Sequence, residues 1–170
     1  MPRVYLGLGS NIERERYIVA GLDALAVLFG DLALSSVYDS AAIGFSGQPF
    51  LNLVVGIDTG LSPGVLSRQL RHIEIEHGRP PDATRFSPRQ LDIDILTHGQ
   101  LNGTVEGVEL PRPEILENAF VLCPLAEVAG QEVHPAVGST YADLWRGYDR
   151  SLQQITRVDF QWRGRFVSQA

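Results

Sequence analysis

An α+β fold is predicted for this chain: an antiparallel sheet covered by two helices, in the order strand, helix, strand, strand, helix, strand over roughly the first hundred residues. Three observations predict it. Polar and apolar residues alternate over 90–96, apolar residues recur at helical spacing over 12–29 and 63–77, and glycine or proline stands between the segments. The order matches the split β-α-β arrangement of ferredoxin-like folds, here followed by a C-terminal extension.

Residues 3–8 read as a strand that runs into a Gly9-Ser10-Asn11 turn. Residues 12–29 follow as a helix with Ile18, Leu22, Leu25 and Leu28 on one face, and Gly30 supplies the stop. Segments 32–38 and 50–57 are the next two strands, joined by a loop rich in Gly, Ser and Ala. A second helix opens at Ser62-Pro63, with serine as cap and proline in the first turn, and Val65, Leu66, Leu70 and Ile73 line its inner face up to His77. The Gly- and Pro-rich stretch 78–88 is a loop that delivers the chain into the 90–96 strand. Beyond it, 99–107 reads as a hairpin or irregular connection, and 113–117, 120–128 and 141–148 as short helices. The tail 151–170 shows no period, and no linker divides residues 1–170 into two cores, so one domain is expected.

Composition narrows the chemistry. All 14 basic residues are arginine, which removes a Walker-type lysine, a lysine Schiff base and a pyridoxal site. The net charge of -6 opposes a general nucleic-acid binder, whose footprint would be basic. One cysteine, Cys123, allows no internal disulfide and fits a reducing compartment. The absence of a long apolar run fits a soluble, cytoplasmic protein with no membrane partner. His72, His77, His98 and His134 lack the spacing of a zinc site.

Asp92 and Asp94 share one face of their strand because side chains at i and i+2 do. Two carboxylates that close raise each other's pKa unless a cation lies between them, and a hard divalent ion with oxygen ligands suits the pair. Alone, such a pair reads first as the solvated face of an amphipathic strand. Arg85 and Arg89 just upstream change that balance, because each guanidinium is a planar, permanently charged fork that matches phosphate oxygens. Carboxylates and arginines side by side suggest a nucleotide carried as its magnesium complex.

The run Arg85-Phe86-Ser87-Pro88-Arg89-Gln90-Leu91-Asp92-Ile93-Asp94-Ile95-Leu96 resembles the signature of the 6-hydroxymethyl-7,8-dihydropterin pyrophosphokinase family. The resemblance extends to Val4 through Asn11, to Ser36-Val37-Tyr38 through Gly44, to Gln48 through Asn52, to Leu110 through Pro113 and to Ala119 through Leu125. It implies the ferredoxin-like core already read from the element order. It also implies Mg²⁺-dependent transfer of pyrophosphate from ATP to the hydroxymethyl group of a dihydropterin, releasing AMP, in folate biosynthesis.

By the same resemblance Asp92 and Asp94 hold two magnesium ions, and Arg79 and Arg89 act on the transferring phosphates. Glu74, Arg85, Phe86, Ile95 and Arg112 fall on the nucleotide side. Ser40, Ile43, Phe50, Asn52 and Phe120 fall on the pterin side, with the two phenylalanines stacking on the heterocycle. The loop carrying the three arginines is expected to close as a lid. Three positions depart from the family pattern: Pro81 and Asn118 stand where arginine is common, and Arg112 where histidine is.

The implied partners are two small molecules, ATP and a pterin, bound by a monomer. Two other readings stay open. One is a divergent paralogue that binds nucleotide or pterin with altered substrate or without turnover. The other is an RNA-binding ferredoxin-like module, which the acidic charge opposes.

Overall fold

The computed structural model describes residues 1–41, 47–78 and 90–170. Ile43, Arg79, Pro81, Arg85, Phe86 and Arg89, the 78–88 loop beyond Gly78 and its expected closure as a lid lie outside the described residues.

Strand β1 (Arg3–Ser10) is followed by helix α1 (Arg14–Phe29). The helix starts two residues later than its apolar pattern suggests, because Glu13 sits in the left-handed region at φ 43°. It ends at Gly30, whose φ of 77° suits a residue without Cβ. Ile18, Leu22 and Leu25 are buried, whereas Leu28 is half exposed, so the stripe stops a turn early. The expected 32–38 strand is two pieces, β2 (Ala33–Leu34) and β3 (Val37–Ser40). Ser35 breaks it by entering the ladder with its side chain: its Oγ accepts from the Val54 N–H at 2.8 Å.

β4 (Phe50–Asp58) precedes α2 (Pro63–Glu76). Ser62 stands at the N-cap but its side chain makes no cap bond to the helix. Glu106, from the turn of a later hairpin, accepts the Gly64 N–H at 2.9 Å instead. β5 (Asp92–His98) carries the aspartates, β6 (Gly103–Val105) and β7 (Val108–Leu110) form the hairpin, and α3 (Glu114–Glu117), α4 (Ala119–Ala129) and α5 (Tyr141–Arg146) follow.

The main sheet is antiparallel throughout, in the order β5-β1-β4-β3, with β2 also on β4. One face carries Leu6, Leu8, Leu53, Val55, Ile93 and Ile95 against α1 and α2. The other carries Tyr5, Val54 and Leu96 against α3, α4 and α5. Both layers bury aliphatic area, the main stabilising term.

The tail is where structure departs most from expectation. It forms β8 (Ile155–Val158), which pairs with β3 and extends the sheet, and a hairpin of β9 (Phe160–Trp162) and β10 (Arg165–Ser168). Phe160 joins the core beneath the sheet, and the Trp162 indole N–H donates to Asp23 on α1 at 3.0 Å. β8 covers the open edge of β3, which would otherwise present unpaired backbone groups. Phe160→Ala is accordingly expected to cost about 3 kcal/mol in a urea titration, the usual penalty for emptying a buried aromatic site. A change below about 0.5 kcal/mol would mean the tail packs loosely.

His134 is buried in the turn before α5, where its Nδ1 accepts N–H groups from Ala136 and Val137 at 3.1 and 3.2 Å. Burial holds its pKa below the ordinary value near 6.5. The neutral ring is therefore the folded form, and its contribution to stability is complete above about pH 6.5 and lost as pH falls from there through the folded-state value. Urea midpoints should decline on the acid side of neutrality, and His134→Gln should flatten that decline.

Candidate functional site

The two sheet pairings around β1 build a trough. Gly9 faces Asp92 on one side and Asn52 on the other, and Gly7 faces Asp94 and Val54 in the same way. Directly paired residues share a face, so the carboxylates, Asn52 and Phe50 all project to the side opposite α1 and α2. Glycine in β1 leaves the floor between them without side chains. A Cβ on Gly9 would stand 2.9 Å from the Asn52 Oδ1 and 3.5 Å from the Phe50 ring.

The resulting cleft has a volume of about 790 Å³, within the usual range for small-molecule sites. Asp92 and Asp94 form one wall. Ser40, Phe50 and Asn52 form the other, and Arg112, Asn118 and Phe120 approach from the segments after β7. Asn52 donates through Nδ2 to the Ser40 Oγ at 2.6 Å, and both residues are almost fully buried. Phe50 and Phe120 are each partly exposed to the cleft.

The electrostatics centre on Asp94. Burial first, then the neighbouring Asp92 charge, push its carboxyl well above the ordinary carboxylate range, and Glu74 adds to the rise. Arg112 opposes the shift, with its Nη2 3.7 Å from Asp94 Oδ1. The same guanidinium pairs with Glu114, and the Arg112 N–H donates to the Leu96 carbonyl at 2.8 Å. Arg112 is thus positioned by backbone and by two acids.

Glu74 is only 2% exposed and accepts the Ile93 N–H at 2.7 Å. β5 is an edge strand, and an outward N–H at that edge needs an acceptor; Glu74 supplies it. Ile95 lines the cleft, although its side chain belongs to the apolar layer on α1 and α2.

The sequence reading missed Arg68 and Arg71, which also line the cleft from α2. With Glu74 they fall at 68, 71 and 74, one helical face, and that spacing was the available signal. It also missed Gln153, in the tail. Its Oε1 accepts the Ala119 N–H at 2.8 Å, and its Nε2 donates to the Asn118 Oδ1 at 2.8 Å.

Among the described residues no cluster of three or more His, Cys, Asp or Glu stands out as a metal centre. The donor set present is two carboxylates with one raised pKa beside a glycine floor, which suits a hard cation that brings most of its other ligands with it. Among the described residues no helix is long and apolar enough to cross a membrane.

The family model for 7,8-dihydro-6-hydroxymethylpterin-pyrophosphokinase (HPPK) matches residues 5–130. The chain is 41% identical over 133 residues to the 2-amino-4-hydroxy-6-hydroxymethyldihydropteridine pyrophosphokinase of Pseudomonas aeruginosa, covering 76% of this chain and 82% of that protein. To the protein of the same name from Aquifex aeolicus it is 35% identical over 137 residues, covering 79% and 85%. It is also 35% identical over 145 residues to the Folic acid synthesis protein fol1 of Pneumocystis carinii, where it covers 84% of this chain but spans only 20% of that protein's length. Among solved structures, a Plasmodium falciparum HPPK-DHPS triple mutant with pteroate superposes with a TM-score of 0.74 at 12% identity, covering 98% of this chain and 48% of that one. At that identity the likeness speaks to the fold alone. Given a family match over residues 5–130 and relatives 35–41% identical over more than four-fifths of their own length, the chain belongs to the 7,8-dihydro-6-hydroxymethylpterin-pyrophosphokinase family.

Proposed function

We propose that this chain transfers a pyrophosphoryl group from ATP to the hydroxymethyl group of 6-hydroxymethyl-7,8-dihydropterin in folate biosynthesis, with the cleft over Gly7 and Gly9 as its active site. The reaction class follows from family membership. The observation that carries the site is the pair Asp92 and Asp94, held on one sheet face with Asn52 and Phe50 on the far side of Gly9, which has no side chain to fill the floor.

In this reading the pterin lies between Phe50 and Phe120, which offer aromatic faces, while the buried Asn52–Ser40 pair supplies edge hydrogen bonds. The ATP phosphates lie toward Asp92, Asp94 and Arg112, with Arg68, Arg71 and Glu74 on the nucleotide side. Arg79 and Arg89 are assigned to the transferring phosphates, and Arg85, Phe86 and Ile95 to the nucleotide. Ile43 is assigned to the pterin.

The pterin hydroxyl forms a bond to the β-phosphorus. The bond from that phosphorus to the α,β-bridging oxygen breaks, AMP leaves with the oxygen, and the hydroxyl proton is released. Asp92 and Asp94 would hold magnesium, two ions in this reading, and bound magnesium supplies charge neutralisation and in-line orientation. The protein's own part is to position both substrates and to exclude water.

The strand order supports a ferredoxin-like core, with β8 as an added edge strand. We read residues 1–170 as one domain, acting as a monomer on two small molecules in the cytoplasm, a compartment that suits a lone Cys123.

The test is to mix the protein with ATP, Mg²⁺ and the pterin alcohol and to measure AMP and pterin diphosphate. Pterin-dependent AMP is the expected outcome. Binding of either substrate without AMP would favour the paralogue without turnover.

A further inference from the structure

Gln153 lies in the tail, beyond residues 5–130 where the family model matches, and it touches the cleft only through its neighbours. Its hydrogen bonds fix the orientation of two amides in sequence. The Ala119 backbone N–H is a donor and nothing else, so the Gln153 atom facing it at 2.8 Å is the oxygen Oε1. The other end of that amide, Nε2, must then be the one facing Asn118, and it donates, so Asn118 must present its oxygen Oδ1 there. The polar end left to Asn118 is its NH₂ group. Asn118 is one of the cleft-lining residues, at the N-terminus of the 11-residue α4 and beside Phe120. A second brace holds the same turn: the Tyr148 hydroxyl donates to the Glu117 carbonyl at 2.9 Å.

We propose that Gln153 is a positioning residue for nucleotide binding, which locks Asn118 so that its NH₂ group is a donor to a phosphate oxygen of ATP. The inference rests on the cleft being the nucleotide site proposed above. A neutral amide is a useful phosphate partner only in one of its two flips, since the other offers a carbonyl oxygen to an anion. Without a fixed donor logic on its far side, Asn118 would sample both. Gln153 removes that freedom from outside the cleft, and the tail thereby contributes to substrate recognition without contacting substrate.

Gln153→Glu separates this role from simple bracing. A carboxylate still accepts from the Ala119 N–H, but it has no donor for Asn118. Asn118 must then flip, donate to the new carboxylate and turn Oδ1 toward the cleft. The KM for ATP is expected to rise about tenfold or more, as befits a lost hydrogen bond to a charged group. The KM for the pterin, kcat and the unfolding temperature should change little. In an Asn118→Ala background the same Gln153→Glu change should have almost no further effect on ATP.

Should Q153E not fold, Asn118→Asp produces the same inversion from the other side. It keeps the bond from Gln153 and puts an oxygen in place of the NH₂ group, and a comparable loss for ATP is expected. Calorimetric binding of a non-hydrolysable ATP analogue with Mg²⁺ repeats each comparison without turnover. An unchanged ATP affinity in folded Q153E, or an equal loss in the N118A background, overturns the role of Gln153 while the pyrophosphokinase reading stands. A native chain that binds the analogue but releases no AMP sinks the turnover reading and leaves the Gln153 comparison to be decided by calorimetry. A native chain that neither binds nor turns over overturns both.

Discussion

Asp94→Asn should reduce pterin-dependent AMP release by about 10²–10³-fold at saturating substrates, the scale on which one preorganised electrostatic contact acts. The unliganded protein should be at least as stable as the native chain. Both expectations have one cause. Burial and the adjacent Asp92 raise the Asp94 pKa in the folded state, so its ionised form opposes folding until a cation compensates it. An acid whose folded value is raised contributes fully below its unfolded value and loses that contribution as pH rises through the folded one. The stability gap between D94N and the native chain should therefore be small in acid and widen as pH rises toward and through the folded-state value. AMP release and thermal unfolding measured on the same preparations check this. Near-native turnover in D94N would remove the carboxylate pair from the chemistry.

Gly9→Val is expected to weaken pterin binding about a hundredfold while the sheet survives. Gly9 pairs in register with Asn52 and Asp92 in ordinary strand conformation, so the backbone accepts a β-branched residue. The space does not. The first added carbon already stands 2.9 Å from the Asn52 Oδ1, and the valine methyls would project into the floor of the trough. Asn52 would have to leave Ser40, and the room beside Phe50 would shrink. Loss of a buried hydrogen bond together with a filled subsite amounts to about 3 kcal/mol, which is the hundredfold. A pterin titration followed by fluorescence, alongside an unfolding curve, separates a blocked site from a damaged fold. Full pterin affinity in G9V would place the heterocycle elsewhere.

Much of this arrangement was legible in the chain because it depends on local periodicity. Period two put Asp92 and Asp94 on one face and Ile93 and Ile95 on the other, whatever the rest of the molecule did. Helical spacing marked Ile18, Leu22, Leu25, Leu66, Leu70 and Ile73 as inward, and these six are buried, whereas Val65, marked with them, is only half-buried. Leu28 shows the limit of such patterns, since a stripe says which face is apolar but not how far the neighbouring layer reaches.

What depended on distant partners was invisible. Nothing near Glu74 in sequence reveals that its carboxylate meets the Ile93 N–H on the β5 side of the sheet. The tail had no recognisable period because β8 is short and draws its stability from pairing with β3. Arg68 and Arg71 became part of the cleft, and Gln153 a support behind its Asn118, only when α2 and the tail were laid against it. The sequence by itself determined the types of element, the two faces of the sheet and the presence of a carboxylate pair, since backbone geometry alone sets those periods. Tertiary structure alone decided which wall each side chain occupies, which acid is raised and which end of the Asn118 amide Gln153 engages. Those properties arise from burial and hydrogen bonds between groups far apart in the chain.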